Sequence, residues 1–187
     1  VLVTALRQCK QWSYDGMHIP VAVNVSARSF LNPRLLEKIQ WALNETGTDG
    51  ECLEIEITEA TLMQDIEGAA GVLNRLSDIG VTIAIDDFGT GYSSLSYLKQ
   101  LPIHTLKIDQ SFIIDVAFDQ QDVAIVRSII DLGHNLGYKV VAEGVENGLA
   151  WDMLNNLGCD TAQGFHISRP LPDNRFSNWL VESGHMS

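Results

Sequence analysis

Positive charge is scarce in this chain. Twelve lysines and arginines face twenty-four aspartates and glutamates, giving a formal net charge of −12 with histidine neutral. That balance excludes non-specific binding to DNA or RNA polymers and to anionic lipid, both of which need a basic surface. A phosphate ligand is still compatible, provided a metal ion supplies the positive charge. Cysteine is sparse as well. Cys9, Cys52 and Cys159 are scattered without a Cys-x-x-Cys pair, so neither a disulfide framework nor a zinc site is expected, and a reducing cytoplasm fits. No apolar run approaches the ~18 residues of a membrane span, and no charged-then-apolar leader opens the chain. Disorder is excluded by the 45% apolar content, and 187 residues suffice for one domain with a real core.

What the sequence has is alternation. Helical apolar spacing covers about residues 1–14, 32–46, 65–79, 93–101, 119–136, 147–157 and 173–183. Asn32-Pro33 reads as a helix cap with a first-turn proline, and Gly47, Gly80, Gly137 and Gly158 follow helix ends. Between the helices lie six β-rich runs: VAVNVS (21–26), CLEIEIT (52–58), VTIAID (81–86), TLKID (105–109), YKVVAEG (138–144) and DTAQGF (160–165). No linker, low-complexity tract or tandem repeat interrupts them. Strands alternating with helices predict an α/β fold with a mainly parallel sheet.

Each run carries polar residues at or near its C-terminal end: Asn24, Glu56, Asp86 with Asp87, Lys107, Glu143 and Gln163. In a (β/α) barrel those ends converge on one mouth, where active sites are built. Adjacent carboxylates at a buried strand end are unfavourable unless a cation or firm hydrogen bonds compensate. The oxygen-rich set suits Mg²⁺ or Mn²⁺ rather than zinc, and an Asp shared between two cations would make its neighbour tolerable. A barrel needs eight strands, however, so the count leads us to expect about two more to the N-terminal side. The expected fold is thus a TIM-like barrel, N-terminally incomplete, with residues 1–187 forming a single domain.

Bland readings stand beside these. One of the two aspartates can cap a turn while the other faces water, and Asn24 can bond a neighbouring backbone group. Glu54 and Glu56 share a face, so either can be a solvated residue. Lys107 can be a buried structural lysine, and Glu143 or Glu146 can cap the helix from residue 147. The five histidines show no ligand spacing, and Trp12, Trp41, Trp151 and Trp179 read as packing.

The pieces VNVSARSF, LEIEITEATLM, IAIDDFGTGYSSLSYLKQLPIHTLKID, VVAEGVE and AQGFHISRPLP, in this order, resemble the EAL domain family of cyclic-di-GMP phosphodiesterases. The resemblance implies that Asn24, Glu56 and Asp86 bind a first metal and that Asp86 bridges to a second held by Asp87 and Glu143. It makes Lys107 the residue that orients or polarises the attacking water and Glu143 the general base, or the holder of the metal that activates that water. Glu146 would support the second metal through water, and Gln163 would touch the water or the phosphate. Glu59 would tether the loop from Phe88 to Ser94, which in the family links the metal site to a homodimer interface. The implied reaction is hydrolysis of one phosphodiester bond to linear pGpG, activated by Mg²⁺ or Mn²⁺ and inhibited by Ca²⁺. An upstream sensory or GGDEF domain, and through it a possible tether to a membrane, goes with the resemblance. One departure is plain: no Glu-Ala-Leu occurs, so a further metal-binding glutamate is lacking, and the segment alone is expected to be impaired. A receptor that binds the nucleotide without cleaving it, a dimerisation module working through GYSSLSYL, and Mg²⁺-assisted enolisation are the competing readings.

Overall fold

The computed structural model describes residues 1–91 and 96–183, apart from the side chains of Asn174 and Val181. Six strands form one sheet in sequence order: β1 (Val21–Asn24), β2 (Leu53–Thr58), β3 (Thr82–Phe88), β4 (Thr105–Ile108), β5 (Lys139–Ala142) and β6 (Thr161–Ala162). Every neighbouring pair is parallel. Strict sequence order with helical crossovers is the wiring of a (β/α) barrel, and the sheet curls into a half-barrel. Among the described residues β1 and β6 do not pair with each other, so the wall is open. A cavity of about 610 Å³ lies beside β1, lined by Val23, Asn24, Val25 and Arg28 together with Leu35 and Ile55.

The two faces of the sheet divide by parity. Ile55 and Ile57, Ile83 and Ile85, and Leu106 and Ile108 are each at most 1% exposed and belong to the core. Strand neighbours point to opposite faces, so Glu54, Glu56, Asp86 and Lys107 are left to the concave side. The helices are α1 (Leu2–Tyr14), α2 (Ala27–Phe30), α3 (Leu35–Thr46), α4 (Glu59–Leu62), α5 (Ile66–Asp78), α6 (Gln120–Leu136), α7 (Gly148–Leu157) and α8 (Asp173–Glu182). Asp65, Asp119 and Asn147 cap α5, α6 and α7 by accepting backbone amides, and Gly47, Gly137 and Gly158 end α3, α6 and α7 in left-handed conformations. The chain's first and last helices meet, with the Trp12 and Phe176 ring centroids 5.0 Å apart. The three cysteines are free.

Three expectations need correcting, and one of the bland readings falls away. The helix expected over 93–101 is a three-residue 3-10 turn, Leu98–Gln100; residues 93–95 lie outside the described set. Pro102 explains its end, because the residue before a proline is driven to extended backbone, and Leu101 has φ −103° and ψ 142°. Asn32-Pro33 does not start a helix. The Asn32 side chain accepts the Arg34 amide at 2.9 Å in a local turn, and α3 begins at Leu35. The last strand is Thr161–Ala162 rather than 160–165, since at Gly164 the chain passes so close to Val145 that a Cβ would lie 2.1 Å from its carbonyl oxygen. Neither Glu143 nor Glu146 caps α7; Asn147 does.

Candidate metal centre

Five strands deliver the side chains. At the end of β1 the Asn24 amide donates to Glu56 Oε2 at 2.8 Å. Glu56 Oε1 in turn lies 2.5 Å from Lys107 Nζ, which reaches across from β4 and touches Glu143 Oε1 at 2.6 Å. Glu56 and Lys107 are 6% and 4% exposed, so this is a desolvated ion-pair network. Burial alone would lower the ammonium pKa, but the hydrogen bonds and charges of Glu143 and Glu56 outweigh it and hold the lysine more basic than usual. Lys107 is therefore a charged residue here, clamped by two carboxylates.

The adjacent aspartates owe their arrangement to a backbone irregularity. Consecutive residues of a regular strand face opposite sides, yet Asp86 and Asp87 both serve one cluster. Between Ile85 and Phe88 the β3–β4 register shifts, and Asp87 adopts φ +53°, unique among the described non-glycine residues. Aspartate tolerates this conformation better than most residues, and such strain gathers at functional sites. As a result Asp86, Asp87 and Glu143 each offer an oxygen within 4.8 Å of the others. Among the described residues this is the one such cluster of histidine, cysteine or acidic side chains.

The cluster is electrostatically incomplete. Asp86 Oδ1 is buried without a hydrogen-bond partner; Lys107 Nζ lies 3.4 Å away, outside hydrogen-bond geometry. Burial raises the Asp87 pKa, and the charges of Asp86 and Asp109 raise it further. Glu143 is also raised, first by burial, with Lys107 opposing and Asp86 and Glu56 adding to the rise. Three crowded carboxylates, one with an unsatisfied buried oxygen, are a donor set suited to a hard divalent cation. The residues present fit such a group.

Asp109 is the residue sequence reasoning passed over. It follows β4, two positions beyond Lys107 and on the same face. Burial opposes its ionisation, but Ser111 and the hydrogen bond shared with Asp87 hold its carboxyl below the ordinary range. The Ser111 amide donates to Asp109 Oδ1 at 2.9 Å. The parity shared with Lys107 was the available signal.

The other expected residues fall around this core. Glu59, on the first turn of α4, is 2% exposed and accepts the Gly89 amide at 3.3 Å. Residues 92–94 of the loop it was expected to tether lie outside the described set. Gln163 continues the β5–β6 ladder, its amide donating to Ala142 O at 2.8 Å. Glu146 is exposed and stands apart from the carboxylate trio.

Comparison with known proteins identifies the family and the fold. The model of the EAL domain family matches residues 1–170. The chain is 46% identical over 174 residues to the bifunctional diguanylate cyclase/cyclic di-GMP phosphodiesterase MucR of Pseudomonas aeruginosa, covering 92% of this chain and 25% of that protein. It is 42% identical over 182 residues to the signaling protein YkoW of Bacillus subtilis, covering 97% and 23%. The chain thus spans about a quarter of the length of these relatives. Among solved structures, the PaMucR phosphodiesterase in complex with c-di-GMP superposes with a TM-score of 0.90 at 45% identity, over 94% of this chain and 71% of that one. The EAL domain of Mycobacterium smegmatis DcpA gives 0.90 at 39%, over 97% and 82%.

Proposed function

The chain belongs to the EAL domain family, and from that membership we propose that it carries most of the active site of a metal-dependent phosphodiesterase hydrolysing cyclic-di-GMP to linear pGpG. The observation that carries the reading is the Asp86, Asp87 and Glu143 cluster, with its unpartnered Asp86 oxygen, at the strand ends beside Lys107. Asn24, Glu56 and Asp86 would hold a first divalent cation and Asp86, Asp87 and Glu143 a second, which Glu146 would support through water. Bound there, Mg²⁺ or Mn²⁺ would supply positive charge against the phosphodiester and acidify a nearby water.

The chain's own residues do the rest. Lys107, kept protonated by Glu56 and Glu143, holds these carboxylates in place and presents a donor to the water or the phosphate oxygen. Glu143, its pKa raised by burial, would accept the proton of that water at a carboxylate oxygen, or serve instead as holder of the metal that activates it. Gln163, at the end of β6, contacts the water or the phosphate. Homodimerisation through the segment after Phe88, and control by an upstream sensory or GGDEF domain, belong to the same proposal.

The test is cyclic-di-GMP hydrolysis by the full-length protein under metal titration. Activity should require Mg²⁺ or Mn²⁺, Ca²⁺ should compete without supporting turnover, and Asp86→Asn should lower the rate by about 10²-fold or more. Turnover that survives exhaustive chelation rejects the metal mechanism. Tight nucleotide binding without turnover selects the receptor reading instead.

A further inference from the structure

Below the ion-pair network lies a second cross-strand contact that the site description does not use. The Thr105 hydroxyl donates to Glu54 Oε2 at 3.1 Å. Glu54 stands two residues before Glu56 on β2, and Thr105 two before Lys107 on β4. The two contacts, Glu54–Thr105 and Glu56–Lys107, are therefore parallel rungs between the same two strands. These strands are not neighbours, because β3 runs between them. The rungs can cross because β3 presents Ala84 there, in register with Glu56 on one side and Thr105 on the other and fully buried. In barrels with tilted strands, inward side chains of alternate strands share one layer, and that is the geometry of both rungs. Thr105 is 7% exposed and Glu54 half-buried, so the lower hydrogen bond is partly shielded from water.

We propose that Glu54 and Thr105 are positioning residues: their hydrogen bond braces β2 against β4 on the concave face, in addition to the backbone ladders through β3, and so steadies the point where Lys107 meets Glu56, Asp86 and Glu143. The backbone ladders through β3 set the strand spacing, and on the concave face, where Ala84 offers only a methyl group, the lower rung adds a direct side-chain tie beneath the upper one. A lysine stem has four rotatable bonds, and a shift of the strand beneath it moves its ammonium relative to three carboxylates at once. Geometry loosened by a fraction of an ångström is enough to weaken a metal site and slow its chemistry. This inference rests on the metal-dependent reading above.

The experiment uses the full-length protein with four substitutions. Thr105→Val keeps the shape and removes the hydroxyl, and Glu54→Met breaks the same bond from the other strand. Thr105→Ser and Glu54→Gln each retain it. Expected are a loss of about tenfold in Mn²⁺ affinity and in kcat, with KM little changed, for the two breaking variants. Values within twofold of wild type are expected for the two conserving ones. In the metal-free protein the ¹⁵N signal of the Lys107 ammonium should broaden in Thr105→Val and Glu54→Met alone. Wild-type Mn²⁺ affinity and an unchanged Lys107 signal in either breaking variant overturn the proposal. So does an equal loss in Thr105→Val and Thr105→Ser, which would assign the effect to packing. If the wild type binds Mn²⁺ but cleaves no cyclic-di-GMP, the functional reading fails, while affinity and the Lys107 signal still decide the rung.

Discussion

Glu59 and Tyr97 clasp the two flanks of the segment that follows the aspartate pair. The Tyr97 hydroxyl donates to Glu59 Oε1 at 3.3 Å, and the other carboxylate oxygen accepts the Gly89 amide at 3.3 Å. Both residues are 2% exposed. One buried carboxylate on α4 thus holds the chain where it leaves β3 and again eight residues later. Burial, reinforced by the neighbouring Glu59 charge, drives the Tyr97 pKa upward and keeps it a neutral donor.

Opening this clasp should disturb the metal centre without melting the fold. Tyr97→Phe should lower stability by about 1 kcal/mol, the usual worth of one buried hydrogen bond. Glu59→Ala should lower metal affinity and turnover by about tenfold while far-ultraviolet circular dichroism is unchanged. Titration calorimetry with Mn²⁺ checks it; equal affinity in Glu59→Ala and wild type would detach the loop from the site.

Asp87 should be a residue whose replacement helps folding and harms function. Its left-handed backbone strains most side chains by roughly 1–2 kcal/mol and aspartate by less, a strain that glycine avoids at the cost of about 0.5–1 kcal/mol in chain entropy. Asp87→Gly also removes a carboxyl that burial and Asp86 make reluctant to ionise. In chelator, Asp87→Gly should be as stable as wild type or up to about 1 kcal/mol more so, with Mn²⁺ affinity down by about 10²-fold. Asp87→Ala should lose both. Urea midpoints of the three proteins decide the matter.

Lys107→Met should be the most damaging single change in the site. It leaves Glu56 and Glu143 desolvated and without their cation, a loss of about 3–5 kcal/mol for a buried pair broken on one side. Saturating Mg²⁺ should restore part of that stability, because another cation then faces the same carboxylates. Thermal unfolding with and without metal measures both effects. A Tm within a degree of wild type in chelator would mean that the network carries little energy.

Acid stability should depend on a residue far from the metal centre. Asp160 accepts the Val140 amide at 2.8 Å and pairs with His134 Nε2 at 2.9 Å. Burial opposes its ionisation, but those two partners prevail and hold its pKa below the ordinary value. A lowered folded-state carboxyl contributes stability that is present above the unfolded pKa of about 4 and is lost as pH falls through the folded value. Asp160→Asn should therefore cost about 1 kcal/mol near neutrality, a figure reduced for solvent screening of a partly exposed pair. The gap from wild type should narrow steadily below about pH 4. Parallel urea curves at every pH would remove Asp160 from the acid limb.

How much of this was legible follows from what kind of signal each feature leaves. Alternating elements, the glycines Gly47, Gly137 and Gly158 that end helices, and the strand-end series from Asn24 to Glu143 depend on local spacing and could be read directly. Parity placed Glu56 and Lys107 on one face, but nothing in the sequence paired them across β3, since that depends on barrel tilt and on the small Ala84. The bulge that turns Asp87 toward Asp86 leaves no glycine to mark it. Asp109 closes the same run as Lys107 and shares its parity, but what ties it to the site, a hydrogen bond with Asp87, depends on the bulge in β3 and leaves no mark in local spacing. The helix expected over 93–101 was misread because Pro102 overrides the apolar spacing before it.

The centre draws on residues 24 to 143 from five strands, so an unfolded chain has no equivalent of it. A cation held there binds the native state alone and stabilises it by mass action, about 2.7 kcal/mol at a hundred times its dissociation constant. Proteolysis of the transiently opened chain tracks that same equilibrium. The supply of divalent metal would then govern how long each copy of the protein survives its proteases.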